Sequence, residues 1–303
     1  MAGKFHYGGQ AIIEGVMIRG RKKVACAVRR PDGSLVVRTE AARSLAQAHP
    51  WLRLSFLRGT PALIDSLLMG FRALVYSADV AMEAEGVKPP SRLWYAFTFV
   101  VALAAGVLLF VILPSLALQP LAGNSLLMNL LEGLLRLLIF LGYILIVSRS
   151  ANIRRIFEYH GAEHMVVNAF ESGREISPEA AKDFSTIHVR CGSSFIMLVI
   201  FIAILVHAVA GWPAWYIRIP LRLLLIVPIA GISYEIMKLA ASPRASRLTA
   251  VITAPGLWLQ RLTTRPPSEE QIAVAIASLQ ALLQAEEEEE SPQAAPAEAP
   301  RGR

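Results

Sequence analysis

The chain has 303 residues, of which 54% are hydrophobic and 17% charged, with a formal net charge of +7. A mean hydropathy of +0.48 excludes an ordinary soluble domain with polar loops. A hydrocarbon core about 30 Å thick is crossed by about 20 helical residues, and the chain contains several runs of that length.

Residues 1–50 read as a small β-rich unit. Lys23–Arg29 and Leu35–Thr39 are strand-like, and Pro31, Asp32 and Gly33 supply turn chemistry between them. Ahead of them lies YGGQAIIEGVMIRG (Tyr7–Gly20), whose glycines predict tight turns or close backbone approach. It lacks the Gly-Lys-Ser/Thr ending of a phosphate-binding loop and does not fit GxGxxG, so no nucleotide site is expected. Glu14 stands among apolar neighbours. An unpaired carboxylate is costly to bury, which leaves a salt bridge or a metal as its partner.

Across residues 51–92, Leu63–Met82 is apolar but contains Asp65, Arg72 and Asp79. Each would cost about 2.5–3.5 kcal/mol at the centre of a bilayer, so an amphipathic, interfacial helix is expected, started by Thr60 and Pro61. Four other stretches are long enough to span. Leu93–Leu118 carries no charge, Ser125–Val147 carries Glu132 and Arg136, Ser193–Trp212 carries His207, and Ile219–Ala240 carries Arg222, Glu235 and Lys238. The expected fold class is a mainly α membrane protein. Four transmembrane helices (within 93–147 and 193–240) join a small cytoplasmic α+β part made of the N-terminal β unit, the central-loop helices (148–192) and a C-terminal amphipathic helix.

Orientation follows from the cations. Gln119–Asn124 has none and the third-to-fourth connection has Arg218 alone. The central loop carries Arg149, Arg154, Arg155, Arg174, Lys182 and Arg190. Positive-inside bias then places both termini and the central loop in the cytoplasm. The net positive charge is assigned to topology and anionic lipid. The lipid bilayer is the expected partner; nucleic acid is not. No apolar run lies near Met1, so no cleavable signal peptide is expected. Cys26 and Cys191 both fall on the reducing side, where a disulfide is not expected.

Asn152–Ser172 has helical patterning, read as a continuation of the second span that stops at Gly173. It carries His160-Gly-Ala-Glu163-His164. Residues four apart share a helix face, so both imidazoles can address one ion. H-x-x-E-H is also the order of the inverted zinc-peptidase motif, in which the glutamate moves protons. His188 and Cys191, at H-x-x-C spacing, immediately precede the third span, and Glu235 lies near the same end of the fourth. The candidate metal ligands are therefore His160 and His164, with His188, Cys191 or Glu14 as a third, and Glu163 is the candidate general base. Imidazole and thiolate favour zinc over magnesium or calcium. Two plainer roles stand beside these: Glu163 as a charge partner of Arg154 or Arg155, and Cys191 as a small buried hydrophobe. Glu132 and Arg136, an i, i+4 pair inside a span, keep a transporter in view. His207 is expected to make a hydrogen bond within the bundle.

After the last span, Leu248–Leu262 reads as an interfacial segment broken at Pro255 and Gly256. Ser268–Gln284 is amphipathic, with Ile272, Ala275, Ile276, Leu279 and Leu283 on one side. Residues 285–303, an acidic run and an Ala/Pro-rich tail, are expected to be disordered.

Four segments, in order, are similar to the bacterial DUF1385 family, often labelled predicted metal-dependent membrane proteins. They are GGQAIIEGVMIRG (Gly8–Gly20), EYHGAEH (Glu158–His164), HVRCG (His188–Gly192) and PGLWLQRLTTR (Pro255–Arg265). The resemblance runs from about residue 5 to residue 284. It implies a polytopic inner-membrane protein of unassigned activity, with the metal label resting on His160, Glu163, His164, His188 and Cys191. Met165, Val189 and Pro266 stand where the family pattern has lysine, proline and glutamate, and none of these departures removes a candidate ligand. The leading expectation is a zinc-dependent hydrolase at the cytoplasmic face. The alternatives are a scaffold or assembly factor with a structural metal site and, more weakly, a transporter.

Overall fold

The computed structural model describes residues 7–121, 123–242 and 244–290. Strands β1 (Gly8–Ile12), β2 (Gly15–Arg19), β3 (Lys23–Arg29) and β4 (Leu35–Ala41) form an antiparallel sheet in chain order. The long helices are α1 (Gly59–Ala84), α2 (Arg92–Ala117), α3 (Ser125–Val147) and α4 (Ala151–Glu171). A short α5 (Pro178–Lys182) precedes α6 (Gly192–Val209), α7 (Trp215–Ala240), α8 (Arg247–Thr263) and α9 (Glu269–Glu290).

The glycine-rich N-terminal segment is a hairpin. Ile13 and Glu14 form the turn between β1 and β2, with Glu14 in the left-handed region at φ 51°. A Cβ at Gly9 would strike the Met17 carbonyl and lie 3.1 Å from Glu163 Cγ, so the strand needs glycine where α4 crosses it. Alternation sends Val16, Ile18, Ala25 and Ala27 to one face and Met17, Val24, Cys26 and Val28 to the other, and both faces are buried. The first packs on α4, α5 and α9 through Tyr159, Ala162, Ala181, Ile272, Ala275 and Leu279; the second packs on α1 through Ala73 and Val80.

Helix α9 runs to Glu290, past the end expected at Gln284. Glu286 accepts from Tyr7 Oη at 3.2 Å and from the Lys22 amide at 3.0 Å, and Glu289 pairs with Lys23 at 3.0 Å. The acidic run expected to be disordered is thus ordered by cations on the sheet as far as Glu290, and the remainder of the tail lies outside the described residues. Helix α9 packs on the sheet, so the first strands and the last described helix lie together.

Four helices, α2, α3, α6 and α7, are long and apolar enough to cross a bilayer. They fall where the sequence places its spans, with ends shifted by up to about one turn. In α2 a π-helical turn, Leu108–Ile112, precedes Pro114. Proline has no N–H for the Phe110 carbonyl, and Arg136 Nε of α3 donates to that carbonyl instead at 2.7 Å. Helix α1 starts at Gly59, with Pro61 in its first turn. Its Asp65 caps the short helix Leu45–Ala48 by accepting from the Leu45 amide at 3.1 Å and also accepts from Ser44 Oγ at 2.8 Å, and Asp79 accepts from Tyr95 Oη at 2.7 Å.

Two expectations are corrected. Helix α4 does not continue α3: Ser148 ends one, and Ser150 precedes the other with extended backbone (ψ 133°). Helix α8 is unbroken at Pro255. A Ser246–Thr249 capping box starts it, and Gly256 lets it lie directly on Ser194 of α6, so tertiary packing overrides the local break.

Candidate metal centre

Three elements converge where α4 passes the N-terminal end of α6. α4 carries His160 and His164 one turn apart, with ring centroids 4.4 Å from each other. Cys191 is the N-cap of α6, and its Sγ accepts from the Ser193 amide at 3.4 Å. The segment after α8 completes the enclosure: the Arg265 amide donates to the Phe157 carbonyl at 2.9 Å. Gly161 is needed there, since a Cβ would collide with the Arg265 carbonyl.

The two imidazoles are oriented by backbone acceptors. His160 Nδ1 lies 2.8 Å from the Thr263 carbonyl, and His164 Nδ1 lies 2.6 Å from the Thr186 carbonyl. A carbonyl only accepts, so each Nδ1 carries a proton, and a ring that gives up its second proton to a binding ion has its lone pair on Nε2. His160 Nε2 is 3.2 Å from Cys191 Sγ. One ligand atom from each of His160, His164 and Cys191 falls within a mutual 4.8 Å. Histidines that ligate a metal through one nitrogen characteristically donate the other N–H to a carbonyl or carboxylate, so these residues fit an ion.

Charge within the trio is coupled. Burial pushes the Cys191 thiol up, but the imidazoles of His160 and His164 carry it well below the ordinary thiol range. Burial lowers His164, and the Glu163 charge and the Cys191 sulfur outweigh it, raising the ring to about 9. For His160, burial is again outweighed, chiefly by the charge on Cys191. Thiolate is the form of cysteine that binds metal.

Of the other candidates, Glu163 is 3% exposed, with Oε2 3.5 Å from His164 Nε2. It is not the partner of Arg155, which pairs with Glu14. His188 sits beside the trio, its ring centroid 5.6 Å from that of His164, and its Nε2 lies 3.7 Å from Glu171 Oε2. Glu14 is not brought to the cluster. Of the two roles open to it, the structure has the salt bridge: Arg155 Nη2 donates to Oε2 at 2.6 Å, and Tyr159 Oη donates to the same oxygen at 3.2 Å. Glu235 is also elsewhere, accepting from Arg58 Nε at 2.6 Å.

Several positioning residues escape sequence reasoning. Gln260 of α8 accepts from the His188 amide at 2.8 Å and donates to the His188 carbonyl at 2.8 Å and to Ser194 Oγ at 2.6 Å. Thr186 and Thr263 act through backbone carbonyls, which no side-chain pattern reveals. The available signal was PGLWLQRLTTR, the segment that holds Gln260 and Thr263. Glu171 binds Arg190 and faces His188, which fixes the approach to Cys191. Burial raises its carboxyl, but hydrogen bonds from His188 and Arg190 bring it down to about 2.

A family model described as "Protein of unknown function (DUF1385)" matches residues 54–285. The uncharacterized protein YqhQ of Bacillus subtilis (strain 168) is 32% identical over 295 residues, covering 92% of this chain and 93% of its own. No solved structure matches the chain.

Proposed function

The chain belongs to the DUF1385 family of proteins of unknown function, and we propose that it is a zinc-dependent hydrolase of the bacterial cytoplasmic membrane. Both termini and the metal centre face the cytoplasm. The sidedness rests on the cation-poor short connections against the basic central loop.

One observation carries the metal reading. Two backbone carbonyls take the Nδ1 protons of His160 and His164, and one ligand atom of each ring lies with Cys191 Sγ within a mutual 4.8 Å. Three protein ligands leave a position open, as in catalytic zinc sites. His160, His164 and Cys191 would hold the zinc, which when bound would supply a Lewis acid that lowers the pKa of water toward about 7. Glu163 Oε2, 3.5 Å from His164 Nε2, would be placed to accept a proton. Gln260 holds the His188–Ser194 segment, and with it Cys191, against α8.

A second reading, a structural metal site in a membrane scaffold, is favoured by the His188 ring next to His164. A fourth protein ligand closes such a site. Metal analysis of purified protein tests the first step: about one zinc per chain is expected, and none in the His160→Ala/His164→Ala variant. Zinc retained by that variant overturns the site. Glu163→Gln separates the two readings. As an enzyme, the variant keeps its metal and loses about 10²–10⁴-fold in rate, failing to complement a deletion strain. Full complementation with metal bound favours the scaffold.

A further inference from the structure

A second polar cluster occupies the opposite end of α6. Glu132 of α3 lies between two guanidinium groups. Arg136 Nη2 donates to its Oε1 at 2.7 Å, and Arg222 Nη2 of α7 donates to its Oε2 at 2.6 Å. The same Arg222 nitrogen donates to Asn129 Oδ1 at 2.5 Å, and Arg136 Nη1 is 3.4 Å from His207 Nδ1. One turn before Arg222, Arg218 donates to the hydroxyl and carbonyl of Ser115, each at 2.8 Å, with its guanidinium 3.8 Å from the Trp212 ring centroid. Glu132, Arg136, His207, Arg218 and Arg222 are all buried.

Neither charge nor hydrogen bonding balances here. Arg136, Arg218 and Arg222 face a single carboxylate. The connections Leu118–Asn124 and Ala210–Ala214 contain no acid, and Glu235, the other acid of these helices, is held by Arg58 at the far end. Arg136 has only N–H groups, so His207 Nδ1 is the acceptor and Nε2 carries the proton. That Nε2–H, Arg222 Nε–H and Arg222 Nη1 have no hydrogen-bond partner among the described residues. Every unmatched group is therefore a donor, and the net charge is positive. A cation would meet N–H groups alone. A water accepts a hydrogen bond but brings no charge, and an uncompensated buried charge is the costly element.

We propose that this cluster binds a small monovalent anion at Arg222, with His207 Nε2–H as a second donor. Arg222 is 2% exposed, so a phospholipid headgroup on two acyl chains does not reach it without opening the bundle, and the anion inferred is one of halide size. The site is independent of the metal centre and of the hydrolase reading.

Chloride is the probe. The full chain, purified in detergent with gluconate as the only anion, is dialysed against radioactive chloride at constant ionic strength. The wild type is expected to hold about one ion per chain. Arg222→Gln removes one positive charge and the principal donor, and should bind none. Glu132→Gln leaves a larger positive excess and should bind at least about tenfold more tightly. His207→Phe keeps all the charges and should bind several-fold more weakly. Failure of the wild type to bind chloride overturns the proposal, as does equal binding by Arg222→Gln. Where Arg222→Gln does not fold, unchanged affinity in His207→Phe overturns it.

Discussion

The two ends of α6 differ in the side of the hydrogen bond they leave open. At Cys191, carbonyls take the Nδ1 protons of His160 and His164, which leaves Nε2 as the nitrogen that can offer a lone pair to an ion, that of His160 next to sulfur. At His207, the Nδ1 lone pair is taken by Arg136 and an N–H is left over beside an unsatisfied guanidinium. The same residue type thus underlies the proposed cation site at one end and the proposed anion site at the other. What a histidine binds is decided by the partner of its other nitrogen, and that partner is tertiary in all three cases.

The sharpest break in this contrast would be topological. Reporter fusions at Gly123 and Gly173 should report opposite compartments, an all-or-none result. The same compartment for both would place the two ends of α6 on one side of the membrane and dissolve the distinction. Next in size is the strap on the metal end. Gln260→Leu leaves the His188 amide and carbonyl and Ser194 without their buried partner, and zinc affinity should fall about 10–100-fold. Competition with a chelator measures this, and unchanged affinity would mean that Cys191 needs no support from α8.

The matching strap at the other end is Asn129, which accepts from Arg222 and donates to the carbonyls of Ser125 at 2.8 Å and Gly211 at 3.2 Å. Asn129→Ala should cost about 1–3 kcal/mol of stability without changing zinc content, as read by unfolding in detergent alongside metal analysis. Loss of zinc in this variant would show that the two ends are coupled. The smallest effect concerns Glu171. Its carboxyl, held at about 2 against an ordinary 4.5, contributes stability above pH 4.5 that is lost as pH falls toward 2. Glu171→Gln should flatten that part of the pH–stability curve, and an unchanged curve would remove the Arg190–Glu171 contact from the support of the metal end.

The first cluster was largely legible in the sequence and the second was not, for a geometric reason. His160 and His164 are one helical turn apart, and His188 and Cys191 are three residues apart, so local spacing carries most of the site. Glu132 and Arg136 are local as well, and their pairing was expected. The cation that changes their meaning, Arg222, is contributed by another helix, and its contact depends on how α7 packs on α3. Patterning also located the four long apolar helices and the apolar face of α9. It failed at Ser150, where a cap interrupts an otherwise helical run, and at Glu286–Glu290. There, composition suggested a solvated tail while Lys22, Lys23 and Tyr7 supplied partners from the opposite end of the chain.

That last contact has a consequence for biosynthesis. The strands precede all their covers in the chain, and among those covers α9 is translated last. At about 5–20 residues per second, β4 waits about 10–50 s for α9 to emerge, after all four long apolar helices have been made. During that interval Val16, Ile18, Ala25 and Ala27 lack their α9 cover. Covering of the N-terminal sheet therefore reports synthesis as far as α9. A ribosome that stalls before Glu269 yields a product whose sheet lacks its α9 cover at Val16, Ile18, Ala25 and Ala27, a ready target for quality-control proteases.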